Sequence, residues 1–257
     1  MIACLLLLSV TLAATPAAAQ FAGRDQCLAK AEAAPDFALP TIALWEKRGG
    51  GVDARLCRAF ALLFQVSWAD AGAAFEAVIP ALSAESPDVL ANLWARAGLA
   101  WQEAEEPAKA EAAFGQAIRL APQDIAYRLD RATVRAGQER FWDAIADLDA
   151  AIAADPKSVD AHLLRAEARR ELALSGDAMA DVATALRLAP DNPDALLLQG
   201  NLLAERRDYA GAKAAWSRAR QTGGDAAAGR AAAANLEALA SFEQESAVTR
   251  SPAAPRQ

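Results

Sequence analysis

Four side chains carry the clearest chemical signal in this sequence. Arg131 and Arg165 are 34 residues apart, and so are Asp147 and Asp181. A guanidinium presents a planar fork of donors that fits a carboxylate two bonds at a time. Arg and Asp in step with one another therefore point to internal pairs that satisfy both charges without a ligand. Other candidates for chemistry are few. His162 is the only histidine, and it sits at a packing position of its repeat. A His–Cys nucleophilic pair would need a free thiol at Cys27 or Cys57. No cluster has zinc-ligand spacing, and no Gly-rich loop is arranged to cradle a phosphate. The carboxylates show no paired arrangement for acid–base work. No catalytic residue, metal site or cofactor is expected.

The elements that position these residues follow from the same period. Pro122, Pro156 and Pro190 are spaced by 34 residues, in the segments IRLAP, IAADP and LRLAP. A repeat of this length means stacked copies of one supersecondary unit. In residues 91–124 the large side chains Trp94, Trp101 and Phe114 fall at positions 4, 11 and 24, the small ones Gly98, Ala110 and Ala117 at 8, 20 and 27, and Pro122 at 32. Small residues let two helices approach, large ones fill the gaps, and Pro stops the second helix.

This unit resembles the tetratricopeptide repeat, whose pattern runs W-x2-L-G-x2-Y, then A-x3-F, then A and P. Ala97 replaces the Leu and Trp101 the Tyr. Residues 125–158 keep Ala132, Ala144, Leu148, Ala151 and Pro156; residues 159–192 keep Ala166, Ala178, Val182, Ala185 and Pro190. Residues 193–226 keep Gly200, Ala212, Trp216 and Ala219, with Gly224 in place of Pro. The resemblance implies an all-α, right-handed superhelical solenoid of helix-turn-helix repeats. Residues 52–90 read as a degenerate repeat through Trp68, Ala71, Phe75 and Val78, with 86–90 as an insertion. Residues 20–51 read as a degenerate helical hairpin, 91–226 as four repeats, 227–242 as a capping helix, and 243–257 as a disordered tail.

The charged residues gain a place in this frame. Arg131 and Arg165 hold repeat position 7, while Asp147 and Asp181 hold position 23, which faces it across the hairpin. The repeats with Ala97 and Gln199 at position 7 carry Ala113 and Ala215 at 23, so Arg and Asp occur together or not at all.

By resemblance, positions 2, 5, 9 and 12 of each first helix line a concave partner-binding groove. That assigns Asn92, Leu99, Gln102, Leu129, Thr133, Leu163, Glu167, Arg170, Leu197 and Asn201 to the groove, with the leucines as an apolar strip. Such a face suits an extended segment or an amphipathic helix. The family's clamp for acidic chaperone tails is absent, since Ala95, Leu99, Asp130, Asp160 and Leu164 occupy its positions.

Composition and the N-terminus bound the setting. The net charge of −7 disfavours nucleic acid. An apolar run over 2–12 is followed by Thr15-Pro16 and Ala17-Ala18-Ala19, a secretory signal over 1–19 with cleavage before Gln20. No Lys or Arg precedes the run, so a single membrane anchor is the alternative. Cleavage removes Cys4 and leaves Cys27 and Cys57, which an exported chain would join in a disulfide; two free buried thiols are the other reading. The Ala-rich, Arg-over-Lys composition suggests a bacterium, hence the periplasm. The function expected is a non-catalytic scaffold or adaptor of the cell envelope that binds a protein or peptide segment. A structural or homo-oligomerising module is the alternative, and an accessory enzyme subunit a remote third.

Overall fold

Pro and small residues punctuate the chain into antiparallel helix pairs. The structure, a computed structural model, describes residues 21–250, with side chains through residue 246. The expected signal segment and residues 251–257 lie outside the described residues. Two units are distinguished, meeting between Ser86 and Pro87.

The first unit holds α1 (Arg24–Ala33), α2 (Pro35–Lys47), α3 (Gly51–Phe64) and α4 (Trp68–Val78), then a 3-10 turn (Ile79–Ala81). Pro35 is the first residue of α2, where its missing N–H costs nothing. Gly49 closes α2 with φ of 92°, a left-handed conformation that favours glycine. Cys27 of α1 is bonded to Cys57 of α3 with Cα atoms 6.1 Å apart. Both are fully buried beside Phe21, Ala31, Ala38, Ile42 and Ala61. Arg24 adds a polar tie, donating to Asp53 at 2.7 Å and to Glu85 at 2.8 Å.

The second unit holds α5 (Pro87–Glu103), α6 (Pro107–Leu120), α7 (Ala126–Gly137), α8 (Phe141–Ala154), α9 (Val159–Glu171), α10 (Ser175–Leu188), α11 (Pro193–Glu205), α12 (Tyr209–Gly223) and α13 (Ala227–Arg250). Among the described residues every regular element is helical. Successive helices pair in order from α5 to α13. Residues 87–90 form the first turn of α5, because Pro87 starts a helix well. The sequence expectation is revised at the C-terminus. Residues 243–250 are helical where a disordered tail is expected. Polarity there coexists with good helix formers, and after Gly229 neither Gly nor Pro occurs in the sequence until Pro252.

One tight turn recurs within the hairpins. Glu105, Glu139, Ala173 and Arg207 all have positive φ, between 57° and 64°. The next residue's N–H reaches back six residues inclusive, to the carbonyls of Trp101, Arg135, Arg169 and Leu203 at 2.8–2.9 Å. This is the Schellman end of a helix, built here without glycine. Ser158 and Asn192 cap the first helices that follow them, accepting from Ala161 N at 3.2 Å and Ala195 N at 2.9 Å.

Candidate functional site

The buried charges of the middle repeats form a ladder. Asp147 on α8 is 4% exposed. It accepts from Arg131 Nε at 2.8 Å and Nη2 at 2.5 Å, and from Arg135 Nη1 at 2.9 Å. Asp181 on α10 accepts from Arg165 Nε at 3.0 Å and Nη2 at 2.6 Å, and from Arg169 Nη1 at 2.6 Å. The hydrogen bond to Asp147 raises the Arg131 guanidinium above its usual value against the effect of burial, and that to Asp181 does the same for Arg165.

Further bonds carry the ladder from repeat to repeat. Arg135 also donates to Glu111 of α6 at 2.6 Å, as does Arg140, and Arg165 donates to Asp149 of α8 at 2.6 Å. Sequence reasoning brought Arg131 to Asp147 and Arg165 to Asp181 but missed Arg135 and Arg169. Their signal was present: both hold repeat position 11, one helical turn beyond position 7.

His162 belongs to this interior. Its Nδ1 lies 3.4 Å from Asp181 and its Nε2 3.2 Å from the Pro156 carbonyl. It is 6% exposed. Both carboxylate oxygens of Asp147 and of Asp181 accept from arginines, so the ladder ties the helices of each hairpin together. Among the described residues no group of three His, Cys, Asp or Glu could hold a metal.

A cavity of about 410 Å³ opens elsewhere, on the first helices. Its floor and walls are apolar: Ala136 of α7, Phe141 and Leu148 of α8, Leu164 of α9, Leu197 and Leu198 of α11. Its polar groups are Thr133, Glu167, Arg170, Glu171, Asp194 and Asn201. Arg170 Nη1 donates to Glu205 at 2.9 Å and Nη2 to Glu171, while Nε is buried without a partner. Burial works against the Arg170 charge, but the bond to Glu205 and the charges of Glu171, Glu205 and Glu167 hold its ionisation above the usual range. Crowding by the helices pushes the Glu167 carboxyl up; Arg170 opposes this, and Asp194 and Glu171 add to it.

Of the ten groove residues read from the sequence, Thr133, Glu167, Arg170, Leu197 and Asn201 line this one cavity. Asn92, Leu99, Gln102, Leu129 and Leu163 do not. Leu163 requires the plainest correction, because it packs into the core with Val182, Leu198 and Leu202. Leu129 is half buried against Ala132 and Leu148. The leucines therefore form no continuous strip. Position 5, which holds Leu129, Leu163 and Leu197, faces the neighbouring helices. Position 9, which holds Leu99, Thr133, Glu167 and Asn201, lies more open. Asn201 also has a structural task, accepting from Trp216 Nε1 and Asn235 Nδ2, both at 3.0 Å. Phe141, Leu164 and Glu171 went unrecognised in the sequence because they stand outside the four inward positions.

No family model matches this sequence, and no curated relative does. Solved structures do share its fold. MamA of Desulfovibrio magneticus RS-1 superposes with a TM-score of 0.58 at 15% identity, covering 66% of this chain and 94% of that one. The pilF protein of Pseudomonas aeruginosa gives 0.56 at 18% identity over 79% and 93%. YrrB, described as a TPR protein with an unusual peptide-binding site, gives 0.55 at 18% identity over 66% and 89%. The fold is that of a tetratricopeptide-repeat solenoid.

Proposed function

We propose that this protein is a non-catalytic scaffold that holds a protein segment in the cavity between α7, α9 and α11. The cavity carries this reading. It is concave and mostly apolar, it contains a few polar groups, and it is built from the first helices of three successive repeats together with Phe141, Ala144 and Leu148 of the second helix α8. Thr133, Glu167, Arg170, Leu197 and Asn201 form its contact surface. Asn92, Leu99, Gln102 and Leu129 extend that surface along the first helices, where longer partners would reach. The peptide-binding site attributed to YrrB indicates that the fold lends itself to this use.

The setting proposed is the bacterial cell envelope, reached by export and removal of residues 1–19. The buried Cys27–Cys57 disulfide is compatible with an oxidising compartment. Among the described residues no helix is long and apolar enough to cross a membrane.

Co-purification of the tagged chain from its own cells tests the cavity. Thr133→Trp fills the rim and Leu197→Gln removes an apolar contact; both should lose the partner while keeping the helical circular-dichroism signal. Ala146→Glu and Ala183→Glu, exposed on second helices α8 and α10, should retain it. The reverse pattern would move the binding surface to the second helices.

A further inference from the structure

We infer that the segment taken by this cavity is cationic, with an apolar side chain on the floor of Phe141, Leu148, Leu164 and Leu197 and an adjacent Lys or Arg facing Glu167 and Asp194. The inference rests on the peptide-binding reading above and adds the chemistry of the partner.

Charge complementarity carries it. The cavity holds three carboxylates, those of Glu167, Glu171 and Asp194, against the single cation Arg170. Arg170 is poorly placed to meet an incoming anion, since its two terminal nitrogens donate to Glu205 and Glu171 and its unpartnered Nε is buried. Within the cavity, Glu167 and Asp194 differ from Glu171, which accepts from Arg170. They make no hydrogen bond and no ion pair, whereas Asp147 and Asp181 are each held by two arginines. The chain thus pairs the acids that it buries for structure and leaves two acids open at an apolar cavity.

Burial pushes the Glu167 carboxyl up, Arg170 opposes this, and Asp194 and Glu171 add to it, so an incoming anion would meet like charge from all three acids. An ammonium or guanidinium would offset that charge. A neutral segment would cover Glu167 without giving it a partner. An acidic segment or a free C-terminal carboxylate would meet carboxylates with no free cation to answer it. Across an interface, such matched charges select the partner and speed its arrival.

Three short, end-capped fluorescent peptides test this on the purified full chain by anisotropy: alternating Leu and Lys, Leu and Gln, and Leu and Glu. The Leu–Lys peptide should bind about tenfold or more tightly than the Leu–Gln peptide at low salt, and the Leu–Glu peptide more weakly than either. Glu167→Gln with Asp194→Asn should erase the Leu–Lys preference and leave the Leu–Gln affinity within about twofold. Because the whole chain is acidic, Asp177→Asn with Glu237→Gln serves as a control; it removes the same charge from exposed positions outside the cavity and should keep the preference. Equal binding of the Leu–Lys and Leu–Gln peptides, or a preference that survives the Glu167 and Asp194 substitutions, overturns the inference. In that case the cavity reading still stands if Leu197→Gln weakens the Leu–Gln peptide. If Leu197→Gln changes no peptide's affinity, the cavity reading fails and takes the inference with it.

Discussion

The hairpins α5–α6 and α11–α12 close on an aromatic ring, whereas α7–α8 and α9–α10 close on an aspartate. The difference extends over four repeat positions. Where position 24 holds Phe114 or Trp216, position 8 is Gly98 or Gly200, and positions 7 and 23 are uncharged. A Cβ on Gly98 would lie 2.8 Å from the Phe114 ring, and one on Gly200 2.4 Å from Trp216. Where position 24 holds the smaller Leu148 or Val182, position 8 is Ala132 or Ala166, and Arg and Asp occupy 7 and 23. One backbone plan thus accepts two fillings: a large ring against bare backbone, or a methyl group with a charged bridge beside it. The charged filling costs desolvation, and the doubled arginines on each aspartate offset that cost. It also lies where α7 and α9 present the cavity, so the scaffold there is fixed by directional bonds.

The largest expected effect comes from breaking the charged filling. Asp147→Ala leaves Arg131 and Arg135 without their shared partner and should cost about 3–5 kcal/mol in urea unfolding. Phe114→Ala should cost roughly as much through a cavity. The two losses differ in their repair. Replacing Arg131, Arg135 and Asp147 together by apolar residues of similar volume should recover most stability, whereas no change at positions 7 and 23 should rescue Phe114→Ala. A cost below about 1 kcal/mol for Asp147→Ala would mean that the ladder is decorative.

The first unit provides a third, covalent solution. Opening the Cys27–Cys57 bond by Cys27→Ser and Cys57→Ser should cost about 3–4 kcal/mol for a loop of this length. Alkylation of the purified protein without reductant should label neither thiol; full labelling of both would remove the bridge from the account.

A smaller effect tests the Gly–ring match. Gly98→Ala should destabilise by roughly 1–3 kcal/mol through overpacking, against a helix-propensity gain of about 1 kcal/mol. Adding Phe114→Leu, which copies the Ala132–Leu148 pairing, should make Gly98→Ala favourable. Simple additivity of the two changes would deny the coupling.

The smallest effect is in pH dependence. Burial pushes the Glu111 carboxyl up, but the hydrogen bonds and charges of Arg140 and Arg135 outweigh it, so the group titrates below its ordinary value. A lowered folded value means stabilisation that is present above the unfolded value and lost as pH falls through the folded one. Glu111→Gln should therefore destabilise at neutral pH, and the difference should vanish in acid. Glu167 has the opposite sign. Its raised value makes the ionised form the unfavourable one, so Glu167→Gln should gain stability at neutral pH and nothing in acid. Parallel pH profiles for the two variants would contradict the assignment of one carboxyl to the ladder and the other to the open cavity.

Much of the fold was legible because the 34-residue spacing of Pro122, Pro156 and Pro190 repeats in step with the small and large positions. Local chemistry and global stacking agree there, which makes such a pattern readable. The start of α5 was less legible because Pro87 reads equally as a break or as a first helical residue. The cavity was half legible. Positions 9 and 12 named Thr133, Glu167, Arg170 and Asn201, but position 5 depends on how far each first helix rolls toward its neighbour. Leu163 is buried against Val182, Leu198 and Leu202 while Leu197 is half exposed, a difference that two identical residues at identical positions cannot announce.

Site-specific photocrosslinking in intact cells tests the central claim most directly. A photoreactive amino acid at position 133 or 197 samples the cavity, and one at position 146 or 183 samples the second helices α8 and α10. The account predicts a protein adduct from positions 133 and 197, mapped by mass spectrometry to one short segment of a partner, and none from 146 or 183. Adducts from 146 and 183 with none from 133 and 197 would contradict it.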